Sequence, residues 1–230
     1  MTYTDETTNG ANTQSRDLDK PRLLKAIELI LADPADIKRE AQKLSDKYKT
    51  KYGSKKGEEE IREMVAKKII SNYSYFAAFS GGATALTGVV PGLGTVVATF
   101  GGAAADTALT MKYQIEMVMA LAVAYGHDIE KEEEQRICLV VAGLGAISES
   151  AKQGGKNVGS KAFVTMVREH LKGGTLLAVK AIFRKVGITV TRKGLEKAIP
   201  FGVGVVIGAS TNKVLTMYVG AKACNFFEAA

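Results

Sequence analysis

The chain has 230 residues, of which 46% are hydrophobic, and a formal net charge of +7. That length and apolar content exclude a disordered protein and provide for one sizeable domain or two small ones. The two cysteines, Cys138 in RICLVV and Cys224 in KACNFF, are too few for a disulfide scaffold and read as reduced core thiols.

Residues 1–20 are polar and mildly acidic, with no basic start, apolar run or small-residue cleavage site, so they read as a flexible tail rather than a secretory signal. Residues 21–228 read as a single all-α domain. Pro21 opens a helix through RLLKAIELILAD, where Leu23, Leu24, Ile27, Ile30 and Leu31 recur at helical spacing, and Pro34 is expected to end it. A charged helix follows to about Tyr52, then a linker over 53–57. The next helix begins with three glutamates that suit the positive end of a helix dipole. One long helix is expected from Pro91 to Tyr125, stopped by Gly126, with Asp128 placed to cap its successor, IEKEEEQRICLVVAGLGAIS. After a Gly- and Ser-rich break over 148–160 come FVTMVREHLK, TLLAVKAIFRKVG and ITVTRKGLEKA, and Pro200 opens a last apolar segment to about Phe227. Period-two alternation is confined to ITVT at 188–191, too short for a sheet.

Residues 69–105 carry no charge over 37 positions, longer than the roughly 20 apolar residues of a membrane span. Their content argues against a constitutive span. Residues 81–105 hold seven Gly, six Ala, four Thr and Pro91 against seven residues of the insertion-favouring Leu, Val and Phe type. A soluble or peripheral protein with an apolar, Gly-rich centre is the expectation, and insertion on contact with a surface stays open.

PGLGTVVATFGGAAADTALTMKY from Pro91 is echoed by PFGVGVVIGASTNKVLTMYVG from Pro200. In helices, Gly94, Gly101 and Gly102 fall on one side, as do Gly204 and Gly208, so two Gly-rich hairpins are expected to pack closely in the centre. The same echo sets Asp106 against Asn212, while Lys112 and Glu116 stand four apart and can pair. These four polar residues inside apolar helices form the candidate polar site. A buried Asp needs a partner, and a ligand or ion contact is the alternative to a contact between the repeats.

Eleven Lys and Arg lie between residues 151 and 197 against two acids, so positive charge is concentrated there. Lys152, Lys156, Lys161, Arg168, Lys172, Arg184, Lys185, Arg192 and Lys193 are the candidate contacts to anionic lipid headgroups. A solvated face is the alternative, and nucleic acid is disfavoured because only Phe163 and Phe183 supply aromatic rings. Catalytic and cofactor motifs fail. GLGTVV lacks the third Gly of a dinucleotide fingerprint, GGKN lacks a phosphate-loop Ser or Thr, and His127 and His170 are too separate for a metal site. No catalytic, cofactor or metal residue is assigned.

The combination SGGATALTGVVPGLG, AADTALTMKYQIEMVMALAVAYGHDI and KAIPFGVGVVIGASTNKVLTMYVGAKACNFF resembles the EcsC family of bacterial proteins over roughly residues 20–228. The resemblance implies a membrane-associated role on the cytoplasmic side of the inner membrane, and no substrate. The function expected is therefore non-enzymatic membrane association or lipid binding, with the basic segment attracting anionic headgroups and the Gly-rich helices accepting acyl chains or inserting. Two alternatives stand beside it: a soluble scaffold docking on a membrane protein such as an ABC transporter, and a hydrolase in which Asp106, Glu116 and a nucleophile converge in a pocket. Oligomeric state is not read from the sequence.

Overall fold

A computed structural model describes residues 21–80, 85–153, 155, 157–196 and 204–230. The expected tail over 1–20, residues 81–84 of the uncharged run, Lys156 and Pro200 lie outside these, as do the side chains of 189–196 and 204–210, and with them Arg192, Lys193, Gly204 and Gly208.

The described residues form helices and no strand. α1 (Arg22–Glu28) is shorter than expected, and Pro34 starts a helix instead of ending one. The reason is local: Asp33 caps α2 (Pro34–Tyr52) by accepting the Ala35 N–H at 2.8 Å, and a proline in the first turn has no N–H to leave unpaired. α3 (Glu58–Ala78) carries Glu58, Glu59 and Glu60 in its first turn, as its dipole favours.

The helix expected from Pro91 to Tyr125 is broken in two. α4 (Leu93–Phe100) ends at Gly101, whose φ of 85° lies in the left-handed region, and α5 (Gly102–Ala124) starts directly after it. α6 (Glu132–Gln153) begins later than expected, four residues after Asp128, whose Oδ1 accepts the Glu130 N–H at 3.4 Å in the turn before the helix. The same oxygen also accepts from Lys38 Nζ at 2.8 Å, tying that turn to α2. α7 (Ser160–Lys172) follows, then α8 (Thr175–Glu196), a single helix where two were expected, and α9 (Gly204–Glu228).

α5 is the hub. It is apolar or small on nearly every side, is buried along most of its length, and packs against α1, α2, α3, α4, α6 and α9. α9 lies along α3, α5, α6 and α7. The core around them includes Ile27, Leu109, Ile115, Phe163 and Phe183, each wholly buried or nearly so. Cys138 and Cys224 are free thiols, and burial pushes both above the usual thiol range.

Of the expected packing glycines, Gly94 and Gly101 are not at close helix approaches, while other glycines are. A Cβ at Gly94 or Gly101 would meet no other residue, because α4 is short and its small face points to open space. The close contacts are made at Gly143, where a Cβ would lie 2.4 Å from Ile182 of α8, at Gly145 against Val219, and at Gly220, where it would lie 2.7 Å from Ile70 of α3. Gly102 is half-buried at the start of α5. Among the described residues, no helix is long and apolar enough to cross a membrane.

Candidate functional site

The expected polar site divides into two places on α5. Asp106 and Asn212 come together at one of them. Both line a cavity of about 160 Å³ between α5, α6, α8 and α9, with Thr107, Thr110 and Ser150 as further polar groups and Met111, Ile147, Val186 and Leu215 among its apolar walls. Beside it a hydrogen-bonded chain ties α5 and α9 to the segment just past α3. Asn212 Nδ2 donates to Ser80 Oγ at 3.0 Å, and Ser80 Oγ lies 2.6 Å from Thr110 Oγ1. The two hydroxyls also reach the carbonyls of Ala77, at 2.7 Å, and Asp106, at 3.0 Å. Since Ser80 is wholly buried, this chain satisfies groups that would otherwise be costly to bury.

Lys112 and Glu116 form the second place, an ion pair with side chains 10% and 5% exposed. Glu116 Oε1 also accepts the Ala32 N–H at 2.8 Å, which fastens the turn between α1 and α2 to the hub. Burial, reinforced by the Glu116 charge, raises the phenols of Tyr73 and Tyr113 above their ordinary value. The pair is therefore a structural clasp. Glu116 is not among the residues that line the Asp106 cavity, so among the described residues these two carboxylates do not share one pocket. No group of three or more His, Cys, Asp or Glu placed to hold a metal occurs among the described residues.

Most of the described basic residues are exposed. Lys161, Arg168 and Lys172 lie on α7, and Arg184 and Lys185 on α8. Lys172 pairs with Glu169 at 2.6 Å and Arg168 donates to the Ala229 carbonyl. Lys152, at the end of α6, has its ammonium 5.3 Å from the centre of the Tyr218 ring.

Two features were not anticipated. Near its C-terminal end α3 exposes Tyr75 (54%) and Phe76 (53%), with Phe79 (71%) just beyond, and α9, packed against α3, exposes Val214 and Met217. The ring contact of Lys213 with Tyr75, at 4.0 Å, links the two helices. The aromatic spacing in SNYSYFAAF was the available signal, masked by its continuity with the apolar run. The second is the grouping of Tyr218 and Lys222 with Lys152, for which the four-residue spacing on α9 was the signal.

An all-α protein with an apolar hub, two buried polar clusters and an exposed aromatic edge is the class these observations define. The sequence model of the EcsC protein family matches residues 22–229, nearly the whole chain, and the protein belongs to that family. No curated protein and no solved structure matches it. The family match identifies no catalytic activity.

Proposed function

We propose that this protein binds the surface of anionic membranes, from the cytoplasmic side of the bacterial inner membrane, without catalysing a reaction. The observation that carries the reading is the exposure of Tyr75, Phe76 and Phe79 at the end of α3 and of Val214 and Met217 on the adjacent α9. Aromatic side chains suit the boundary between headgroups and acyl chains, and contiguous exposed apolar groups on a helical protein mark a surface with a partner. A bilayer is favoured as that partner because the run over 69–105 brings no charge to this edge, while Lys213 stands over Tyr75.

Basic residues on α7 and α8 add attraction to anionic headgroups, at about 1 kcal/mol for each one near the surface. Burying one aromatic or aliphatic side chain adds about 1.5–3 kcal/mol. Entry of a whole acyl chain into the cavity beside Asp106 is disfavoured, because its volume of about 160 Å³ is close to that of a cavity filled by one benzene. At most the end of a chain fits. A scaffold that docks on a membrane protein by charge alone has no use for the exposed aromatic edge, which is why that reading ranks second.

The test is flotation with phosphatidylcholine vesicles, with and without phosphatidylglycerol, at low and high salt. Binding is expected to require the anionic lipid, to weaken as salt rises, and to fall on Phe79→Ser and Met217→Ser. Binding that ignores lipid charge, salt and both substitutions, or no binding at all, sinks the proposal.

A further inference from the structure

On α9, Lys222 is only 7% exposed, and among the described residues no carboxylate pairs with it. Its Nζ donates to the Val158 carbonyl at 2.5 Å, which pins the turn before α7 but uses one of three N–H donors. Its other neighbours are rings: Phe163, with its centre 6.0 Å away, and Tyr218, 5.2 Å away. Lys152 approaches the same Tyr218 ring from α6. Burial, and then the repulsion of Lys152, lower the Lys222 ammonium below the ordinary lysine value, so this cation lacks compensation.

Tyr218 supplies a third donor. Its hydroxyl is buried and has no hydrogen-bond partner among the described residues. Burial and then the Glu149 charge raise the phenol above its ordinary value, so it keeps its proton and can donate. Glu149 is itself 7% exposed and engaged in contacts of its own, and against two ammonium groups it leaves the cluster positive.

We propose that Lys152, Tyr218 and Lys222 bind a phosphate group, which a lipid headgroup or a free phosphate ester supplies. A phosphate offers acceptor oxygens and negative charge, and each of the three side chains offers a donor, two of them cationic. The location favours the lipid. Val214, Tyr218 and Lys222 follow one another at four-residue spacing down one side of α9, so the cluster shares a side of the helix with Val214, which is 59% exposed. A phospholipid with its chains against that edge places its phosphate beside the two lysines. The lipid source rests on the membrane-binding reading, whereas the phosphate chemistry stands without it.

The experiment titrates the full chain with inorganic phosphate by calorimetry, and in parallel floats it with phosphatidylcholine vesicles containing phosphatidic acid. Lys152→Gln and Tyr218→Phe are compared with the wild type after circular dichroism has shown that both fold. Lys222→Met is avoided because it also releases the turn at Val158. Each variant is expected to weaken phosphate binding about tenfold or more, the scale of one hydrogen bond to a charged group. Vesicle binding lost in both variants, with no response to inorganic phosphate, supports the site and assigns it to lipid. Phosphate binding without vesicle binding supports the site and removes the membrane reading. Variants indistinguishable from the wild type with both probes overturn the site, and vesicle binding that persists in that case leaves the membrane reading intact.

Discussion

Two glycines separated by one residue are expected to respond to alanine with opposite signs. Gly92 has a φ of 78°, and a Cβ there would lie 2.2 Å from the carbonyl oxygen of Leu29 and 3.2 Å from its carbon. That neighbour is backbone, held by the end of α1, and cannot rotate away. The left-handed conformation costs an L-residue about 1–2 kcal/mol and overpacking adds about 1–3, so Gly92→Ala is expected to destabilise by about 2–5 kcal/mol. For a domain of this size about 1 kcal/mol moves the Tm by 2–4 °C, which predicts a fall of about 4–20 °C. Gly94 lies inside α4 with no other residue near its missing Cβ, so Gly94→Ala is expected to stabilise by up to about 1 kcal/mol through helix propensity. Thermal melts followed by far-UV circular dichroism measure both. A Gly92→Ala protein that melts with the wild type, or a Gly94→Ala protein that loses as much as Gly92→Ala, refutes the close approach of Gly92 to Leu29.

Removing one partner of the Lys112–Glu116 pair with Lys112→Met should cost about 3–5 kcal/mol in urea unfolding, because a buried carboxylate is left without its cation. Adding Glu116→Gln to it should recover part of that loss, since a Gln carbonyl can still accept the Ala32 N–H. Gln114 is wholly buried, with Oε1 unpaired and Nε2 3.4 Å from Thr216 Oγ1, so Gln114→Met should leave stability unchanged or raise it by about 1 kcal/mol in the same assay. The hydrogen bond from Lys38 holds Asp128 below its ordinary value of 3.8. Its carboxylate therefore supports the fold above that value and loses the contribution as pH falls through the lowered one. Between about pH 5 and pH 2 the wild type should lose stability more steeply than Asp128→Asn, as followed by urea midpoints across that range.

The all-α class was legible because apolar residues recur at helical rather than alternating spacing along most of the chain. The corrections come from residues that serve either of two roles. Pro34 fits the end of one helix or the first turn of the next, and Asp33 decides for the second by capping α2. Gly101 has the same composition as a packing glycine and acts as a breaker, a distinction carried by its φ. Asp128 accepts a backbone N–H in its own turn, but the helix starts at Glu132 and the same carboxylate oxygen is bound by Lys38, 90 residues away. The division of the polar site was legible in part: six residues from Asp106 to Lys112 turn about 240° round a helix, so the two face different neighbours. The pairing of Lys152 with Tyr218, by contrast, depends on how α6 meets α9, which no local pattern encodes.

The position of α9 bears on how the chain is made. It meets Ser80, just past the end of α3, through Asn212, 132 positions later, and its contacts with α5 join Gln114 to Thr216. At about 5–20 residues per second, a ribosome takes roughly 7–26 s to travel from Ser80 to Asn212. Throughout that interval the face of α3 around Ile70, where Gly220 later docks, has no partner. Closure then waits on contacts that are distant in sequence, which slows folding. The nascent chain thus carries an open apolar seam during synthesis, a demand on chaperones set by the order in which the helices emerge.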